Sequence, residues 1–281
     1  MTRCSLSAAQ PDRHTVELTP GRRAWLNALD LTGSGPSHSM CALLEADVTV
    51  AKRLIADAKA RTGQSVSFTG FVISCLARAI DENKEVQAYR CGRRRIVVFD
   101  DVHVGLMIEH EAGLMGHVIH GANHKTCREI QEEIRSVQAA PAPATRGMPP
   151  WFRTAMLLPW PLSGLTKALL RAAMRRDPTT RVALSGTTFV SAVGMFGKGH
   201  GGWGISPTPH SLSLLVGGVA WKPAVVGDRM EPREILDLTV LFDHDVVDGA
   251  PATRFVRRLL DLIERGDGLG CDAPADARAV P

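Results

Sequence analysis

Hydrophobic and polar positions along the chain follow two different periods, and together they predict a mixed α/β domain. Apolar residues recur with helical spacing in "ADVTVAKRLIADAKARTG" (46–63), "SFTGFVISCLARAIDEN" (67–83) and "KTCREIQEEIRSVQ" (125–138). β-branched residues concentrate in "RRIVVFDDVHVGLMIEH" (94–110) and "GLMGHVIHG" (113–121), which predict strands. A second group of strands and a last helix are expected after residue 185.

Helix boundaries are marked by capping residues. Thr19, with proline next, predicts the start of a short helix in "ELTPGRRAWLNAL" (17–29). Asp47 or Thr49 is expected to cap the helix that follows, and Gly63 to end it.

The later strands surround a glycine-rich connection. "GTTFVSAVG" (186–194) and "SLSLLVGGV" (211–219) read as strands, and the glycine-rich stretch between them is expected to form a wide hairpin, because phosphate-binding glycine loops normally open a helix. In the last strand Leu236, Leu238, Val240 and Phe242 alternate to bury one face, while Asp237 and Thr239 point the other way. The element order favours one main sheet covered by helices.

The chain divides into a polar lead (1–16), one domain (17–268) and a disordered tail (269–281). Residues 139–181 differ in composition, being rich in proline, leucine and arginine, and predict an amphipathic elaboration of the domain. Its stretch 151–176 is compatible with a helix packed on the core, a lid, a protein-docking surface or a membrane-surface helix.

Composition is that of an ordinary globular protein. The 281 residues are 44% hydrophobic and 22% charged, with a net charge of +4 that suits an anionic ligand but does not indicate nucleic acid. The six cysteines show no Cys-x-x-Cys pair, so neither a zinc site nor a disulfide framework is predicted. Without a signal peptide or a spanning apolar run, we expect a cytoplasmic protein.

Candidate chemistry concentrates in "DHDVVDG" (243–249), where the last strand gives way to a helix. A histidine at such a joint can act as a general base, as acyl transfer requires. Taken alone, His244 with Asp248 is more typical of a satisfied polar turn than of a catalytic pair.

The same stretch resembles the active-site signature of the dihydrolipoamide acyltransferases of 2-oxo acid dehydrogenase complexes, whose fold is shared with chloramphenicol acetyltransferase. Asp245 stands where that family usually has an arginine. "GTTFVSAVG" resembles the strand that carries the family's serine, here Ser191, with Ala192 in place of an asparagine. His117 replaces a usual proline, and the resemblance extends over residues 17–265 apart from the elaboration.

The resemblance implies a two-layer α/β sandwich of the chloramphenicol acetyltransferase type: a mixed central sheet, helices on one face, and a homotrimer with its sites between subunits. It implies that His244 is the general base, that Ser191 of another subunit stabilises the oxyanion, and that Asp248 gives structural support through Arg22 or Arg23. Coenzyme A is then the acyl carrier, with no bound lipoate and no metal. Because only some 16 residues precede the domain, we expect a free-standing enzyme whose acceptor is not its own lipoyl domain.

Two other classes of function stay open: a non-catalytic trimeric scaffold, and a repurposed enzyme that uses His244 for condensation or cyclisation without coenzyme A. Lys222, or the basic cluster "CGRRRIV" (91–97), could contact the phosphates of coenzyme A. The histidines of "HVIHGANH" (117–124) lack a carboxylate or cysteine at ligand spacing and do not predict a metal site. His200 and His210 are expected to be solvated loop residues.

Overall fold

Nine strands form two sheets in the part of the chain that the structure describes. This structure is a computed structural model that describes residues 13–17, 38–63, 65–91, 95–110, 113–140, 162, 165, 169, 177–192, 199–206 and 208–269. The strands are β1 (Arg13–Glu17), β2 (Ser39–Asp47), β3 (Tyr89–Cys91), β4 (Arg95–Phe99), β5 (Val104–His110), β6 (Gly113–Ile119), β7 (Thr188–Ala192), β8 (Leu212–Val226) and β9 (Arg229–Asp243). A six-stranded mixed sheet has the order β2-β9-β8-β7-β5-β6, and a small sheet has the order β1-β4-β3.

Helices cover one face of the large sheet. The helices are α1 (Thr49–Thr62), α2 (Phe68–Asp81), α3 (Cys127–Ala139), α4 (Thr179–Ser185) and α5 (Gly249–Arg265). Val182 of α4 packs instead in a separate cluster with Tyr89, Val97 and Phe99 of the small sheet. Residues of α2 and α5 such as Phe71 and Phe255 pack with Leu238 and Val240 of β9 in one fully buried core. The predicted sandwich, with its mixed sheet and its helices on one face, is confirmed.

The end of α1 agrees with the capping prediction, but its start does not: the N-cap residue is Val48, which lies between the two expected residues and makes no side-chain cap. The Asp47 carboxylate accepts the Thr49 N–H at 2.9 Å at the start of α1. Gly63 ends that helix with a φ of 69°, a left-handed conformation in which glycine has no Cβ to strain. The short helix predicted to start at Thr19 lies outside the described residues.

One strand prediction is confirmed, and one predicted connection was wrong. The described residues 95–110 contain two strands, β4 and β5, which lie in different sheets because the chain turns between them at residues 100–103. The glycine-rich stretch is not a hairpin, because β7 and β8 run parallel and Ser191 pairs with Leu215. A parallel pair requires the connection to carry the chain back along the sheet.

The edges of the predicted domain also differ in detail. β1 includes residues 13–16 of the expected polar lead and pairs with β4. Leu269, the first residue of the expected tail, is 4% exposed and belongs to the main core.

Between residues 141 and 176, three residues of the amphipathic elaboration are described. Leu162, Leu165 and Leu169 are helical, and each is more than half exposed. Among the described residues, no helix has the length and apolar character needed to cross a membrane. The lid, docking and membrane-surface interpretations of 151–176 stay predictions.

Candidate active site

His244 occupies the first position of the turn that joins β9 to α5. Its backbone N–H donates to the carbonyl oxygen of His38 at 2.7 Å, which ties the turn to the start of β2. The N–H groups of Val246 and Val247 donate to the Asp243 carbonyl oxygen at 3.0 and 2.9 Å. These backbone bonds fix the direction in which the histidine leaves the sheet.

The Asp243 carboxylate supports the same turn from inside. It accepts the Asp245 N–H at 3.0 Å. Burial raises the pKa of Asp243 to about 6; the backbone hydrogen bond from Asp245 opposes this rise, and the Asp245 charge adds to it. The active-site turn therefore contains a carboxyl group that titrates near neutral pH.

Asp245, the departure from the family signature, contacts a histidine and an arginine. Its Oδ1 lies 3.1 Å from Nδ1 of His38, and its Oδ2 lies 3.7 Å from Nη1 of Arg90 on β3. The Asp245 side chain is 15% exposed and that of Arg90 is 19% exposed. A carboxylate at this position is thus accommodated by a guanidinium from the small sheet.

Asp248 caps helix α5. It has the extended backbone of an N-cap residue, and its carboxylate accepts the Gly249 N–H at 3.1 Å. Arg22 and Arg23, its expected partners, lie outside the described residues. This geometry is that of a residue that orients the start of the helix behind His244.

Ser191 lies on β7, away from His244 within one copy of the chain. Ser191 pairs with Leu215, which pairs with Thr239, so Ser191 shares a row with a residue five positions before His244. At about 3.3 Å per residue and about 4.8 Å per strand, this places them about 16 Å apart along the strands and about 10 Å apart across them. A base and an oxyanion donor must both lie about 3 Å from the same reacting group. One copy of the chain does not bring them together.

The face of the sheet that carries Ser191 is unexpectedly buried. Asp237 and Thr239, predicted to point away from the core, do so, but both are 0% exposed. Gly202 lies over this face: its N–H donates to Oδ2 of Asp237 at 2.6 Å. We call residues 199–206 the glycine strap.

Lys222 and Trp203 complete the attachment of the strap. Nζ of Lys222 lies 2.8 Å from Oδ1 of Asp237 and 2.6 Å from Oε1 of Glu45. Burial opposes the charge on Lys222, but its bonds to the two carboxylates outweigh that effect and raise its pKa. The ammonium also lies 5.0 Å from the centre of the Trp203 ring, whose indole N–H donates to the Leu44 carbonyl oxygen at 3.0 Å. Phosphate binding by Lys222 stays a prediction, and these contacts describe a lysine that holds the strap.

Two glycines of β8 let the strap approach. A Cβ at Gly217 would overlap the Gly202 carbonyl oxygen, and one at Gly218 would overlap that of His200. Both lie at the irregularity between Val216 and Val219 in the pairing with β9. The glycines of "LLVGGV" therefore serve close backbone packing.

The remaining histidines have local partners. Nε2 of His117 lies 2.8 Å from Oε1 of Glu133 on α3, which gives the departure from the usual proline a contact. His210 was expected to be solvated, but its ring stacks on Phe189 at 5.4 Å, and burial lowers its pKa to about 4. Among the described residues, no group of three or more histidine, cysteine, aspartate or glutamate side chains could hold a metal ion.

Known proteins share the fold of this chain, and a family model matches its sequence. The fold is similar to that of a chloramphenicol acetyltransferase, with a TM-score of 0.52 and 15% identity over 86% of this chain and 94% of that chain. It is also similar to an Azotobacter vinelandii dihydrolipoamide acetyltransferase, with a TM-score of 0.58 and 20% identity over 88% and 86% of the two chains. That structure was determined to investigate the roles of a serine, a histidine and an asparagine in its catalytic mechanism.

The model of the family "2-oxoacid dehydrogenases acyltransferase (catalytic domain)" matches residues 10–142 and 159–270, and the chain belongs to this family of acyltransferases. A similar curated protein is the dihydrolipoyllysine-residue acetyltransferase component of the pyruvate dehydrogenase complex of Rickettsia conorii, 25% identical over 199 residues. The match covers 71% of this chain and 40% of that protein, so the chain spans about two fifths of its relative. The resemblance drawn from the active-site signature is confirmed.

Sequence patterns did not identify several residues that organise the site. His38 and Arg90 gave no signal, because they contact Asp245 across 207 and 155 positions of the chain. Asp237 did give a signal, because it is a lone acid between apolar neighbours in a predicted buried strand. Burying its charge costs free energy unless the carboxylate is paired.

Proposed function

We propose that this protein transfers an acyl group between coenzyme A and an acceptor thiol or other nucleophile. The observation that carries the proposal is the position of His244, half-buried in a turn fixed by His38 and Asp243, in a chain of this acyltransferase family. The finer assignments, including the coenzyme A substrate and the acceptor, are part of the proposal.

In the proposed reaction, the His244 imidazole removes the proton of the attacking nucleophile, and the nucleophile adds to the thioester carbonyl. The carbonyl becomes a tetrahedral oxyanion, which accepts a hydrogen bond from the Ser191 hydroxyl. Collapse breaks the carbon–sulfur bond, and the imidazolium returns its proton to the leaving thiolate of coenzyme A. Asp248 contributes by fixing the start of α5.

The register of the sheet supports a site formed by two copies of the chain, within a homotrimer. His244 and Ser191 are too far apart in one copy to act on one carbonyl. A cyclic arrangement would bring the β9 end of one subunit against the β7 face of the next and so complete three equivalent sites.

The test is mass spectrometry of an acyl-CoA panel with dihydrolipoamide, free thiols and amines as acceptors. We expect His244→Ala to lower turnover by about 10²- to 10⁴-fold and Ser191→Ala by about 10²- to 10³-fold. Unchanged turnover in His244→Ala would refute the general base, and binding without turnover in the wild type would favour the scaffold.

The shared site has a sharper test of its own. His244→Ala and Ser191→Ala chains are co-expressed, and the mixed oligomers are assayed against each variant alone. If the two residues come from different subunits, random mixing restores about a quarter of the sites. No recovery in mixed oligomers, or a stable monomer by light scattering, would contradict the shared site.

A further inference from the structure

Asp245 and Arg90 form a contact between the active-site turn and the small sheet. We propose that Asp245 and Arg90 are positioning residues for His244: their ion pair holds the turn in the orientation that the reaction needs. This inference rests on the proposed function of His244 as a base, and it adds a determinant from β3, an element outside the active-site signature.

The first support is that the backbone N–H and both carboxylate oxygens of Asp245 have partners. Its backbone N–H donates to Asp243, and its two carboxylate oxygens face His38 and Arg90. His38 contacts the turn twice, because its carbonyl oxygen also accepts the His244 N–H at 2.7 Å. A change in the Asp245 side chain is therefore transmitted directly to the backbone of His244.

The second support is that Arg90 is mounted on a fixed element. Its neighbour Tyr89 is 2% exposed and donates its hydroxyl to the Thr187 carbonyl oxygen at 2.9 Å. The Arg181 guanidinium lies over the Tyr89 ring at 5.1 Å. With β3 held in this way, the guanidinium of Arg90 is a stable anchor for the carboxylate.

Charge balance is the third support. The turn contains two neighbouring carboxylates, Asp243 and Asp245, and the pKa of Asp243 is affected by Arg181 and Arg90 as well as by Asp245. Arginine at position 245, although usual in the family, would here face Arg90 at ion-pair distance and lose the contact with His38. An acidic residue at position 245 is therefore complementary in charge to Arg90 on β3.

The experiment compares Asp245→Asn, Arg90→Gln and the double variant in two measurements. Hydrogen exchange of the His244, Val246 and Val247 amides reports the turn without any reaction. We expect each single variant to speed this exchange by about 10-fold and to lower kcat by about 10- to 100-fold with little change in KM, because a misplaced base affects the reaction and not binding. The double variant should be no worse than either single variant, because each already breaks the pair.

Charge reversal provides the rescue. Asp245→Arg should be the most damaging single change, and adding Arg90→Glu should recover most of the lost kcat and amide protection. Arg90→Gln tests the pair from the other side if a variant at position 245 fails to fold. Glu82→Gln is the matched control, since it breaks a bidentate ion pair with Arg258 elsewhere on the surface and should leave both measurements unchanged.

The outcomes separate this inference from the proposed function. Amide exchange and kcat equal to wild type in Asp245→Asn would overturn the positioning role, as would faster exchange with unchanged kcat. Wild-type protein that turns over no acyl-CoA would overturn the proposed function, while the exchange measurements would still decide whether the pair holds the turn.

Discussion

The two halves of the candidate site are held by different physical means. At the His244 end, backbone hydrogen bonds and partly exposed charges fix a turn, with the side chains of Asp245 and His38 15% and 42% exposed. On the face of the sheet that carries Ser191, the glycine strap is fixed by a fully buried carboxylate, Asp237, and by close glycine contacts. The first end should respond mainly to charge and pH, and the second to volume and to unpaired buried charge.

The largest effect on stability is expected from Lys222→Met at the strap end. It leaves the Asp237 carboxylate buried with only the Gly202 N–H as a described donor, and we expect a loss of about 3 kcal/mol in the free energy of unfolding. Denaturant unfolding measures the loss, and hydrogen exchange should show the Gly202 amide opening while the His244 turn stays protected. Glu45→Gln is the control: it removes the half-exposed partner and should cost less than about 1 kcal/mol.

Asp243→Asn tests the pH response of the His244 end. Because the folded pKa of Asp243 is raised to about 6 from 3.8, the folded state binds more protons than the unfolded state between these values. The cost of burying its charge is therefore fully present above pH 6 and disappears as the pH falls toward 3.8. The asparagine variant should gain stability relative to wild type as the pH rises through this window, by on the order of 3 kcal/mol.

This gain is measured as the difference between the urea unfolding curves of the two proteins at pH 4 and pH 7. A difference that does not change with pH would show that Asp243 does not titrate in this window.

Gly217→Ala tests the close packing of the strap. Its Cβ would overlap the Gly202 carbonyl oxygen and lie 2.7 Å from that of Asp237, so the strap must move. We expect a loss of about 1–3 kcal/mol in the free energy of unfolding, as for other overpacked sites. The control is Gly249→Ala, because a Cβ at Gly249 meets open space and the backbone there has no positive φ. Gly227 also faces open space, but its φ of 66° would strain an alanine. Equal stability of Gly217→Ala and wild type would mean that the strap does not rest on β8.

The smallest effect is expected from His117→Gln, which lies at neither end of the site. Glu133 keeps its contact with Lys125 at 2.6 Å, and the His117 and Glu133 side chains are each 25% exposed. The free energy of unfolding should change by less than about 1 kcal/mol, and turnover should not change. A clear loss of turnover in His117→Gln would mean that the active site includes residues of β6.

Much of the fold could be predicted from local patterns. Alternation in β9 correctly identified Leu236 and Leu238 as core residues, and Gly63 marked the end of α1. The active-site signature placed His244 at the end of a strand, where the structure has it. These features depend on residues close together in the chain, so periodicity and capping chemistry report them.

Other features depended on partners that no local pattern reveals. β7 and β8 pair in parallel, so the expected hairpin is instead a strap, and this strap covers the buried Asp237. The His117 side chain contacts Glu133, and the Asp245 side chain contacts Arg90 and His38.

The sequence by itself determined the element types, the family and the candidate base, because each is written in the spacing of nearby residues. Only the tertiary structure decided how the His244 turn is held and which groups Asp245 contacts. The physical reason is that a charge is stabilised by whatever lies within a few ångströms of it, and for Asp245 those groups come from β3 and from the residue preceding β2.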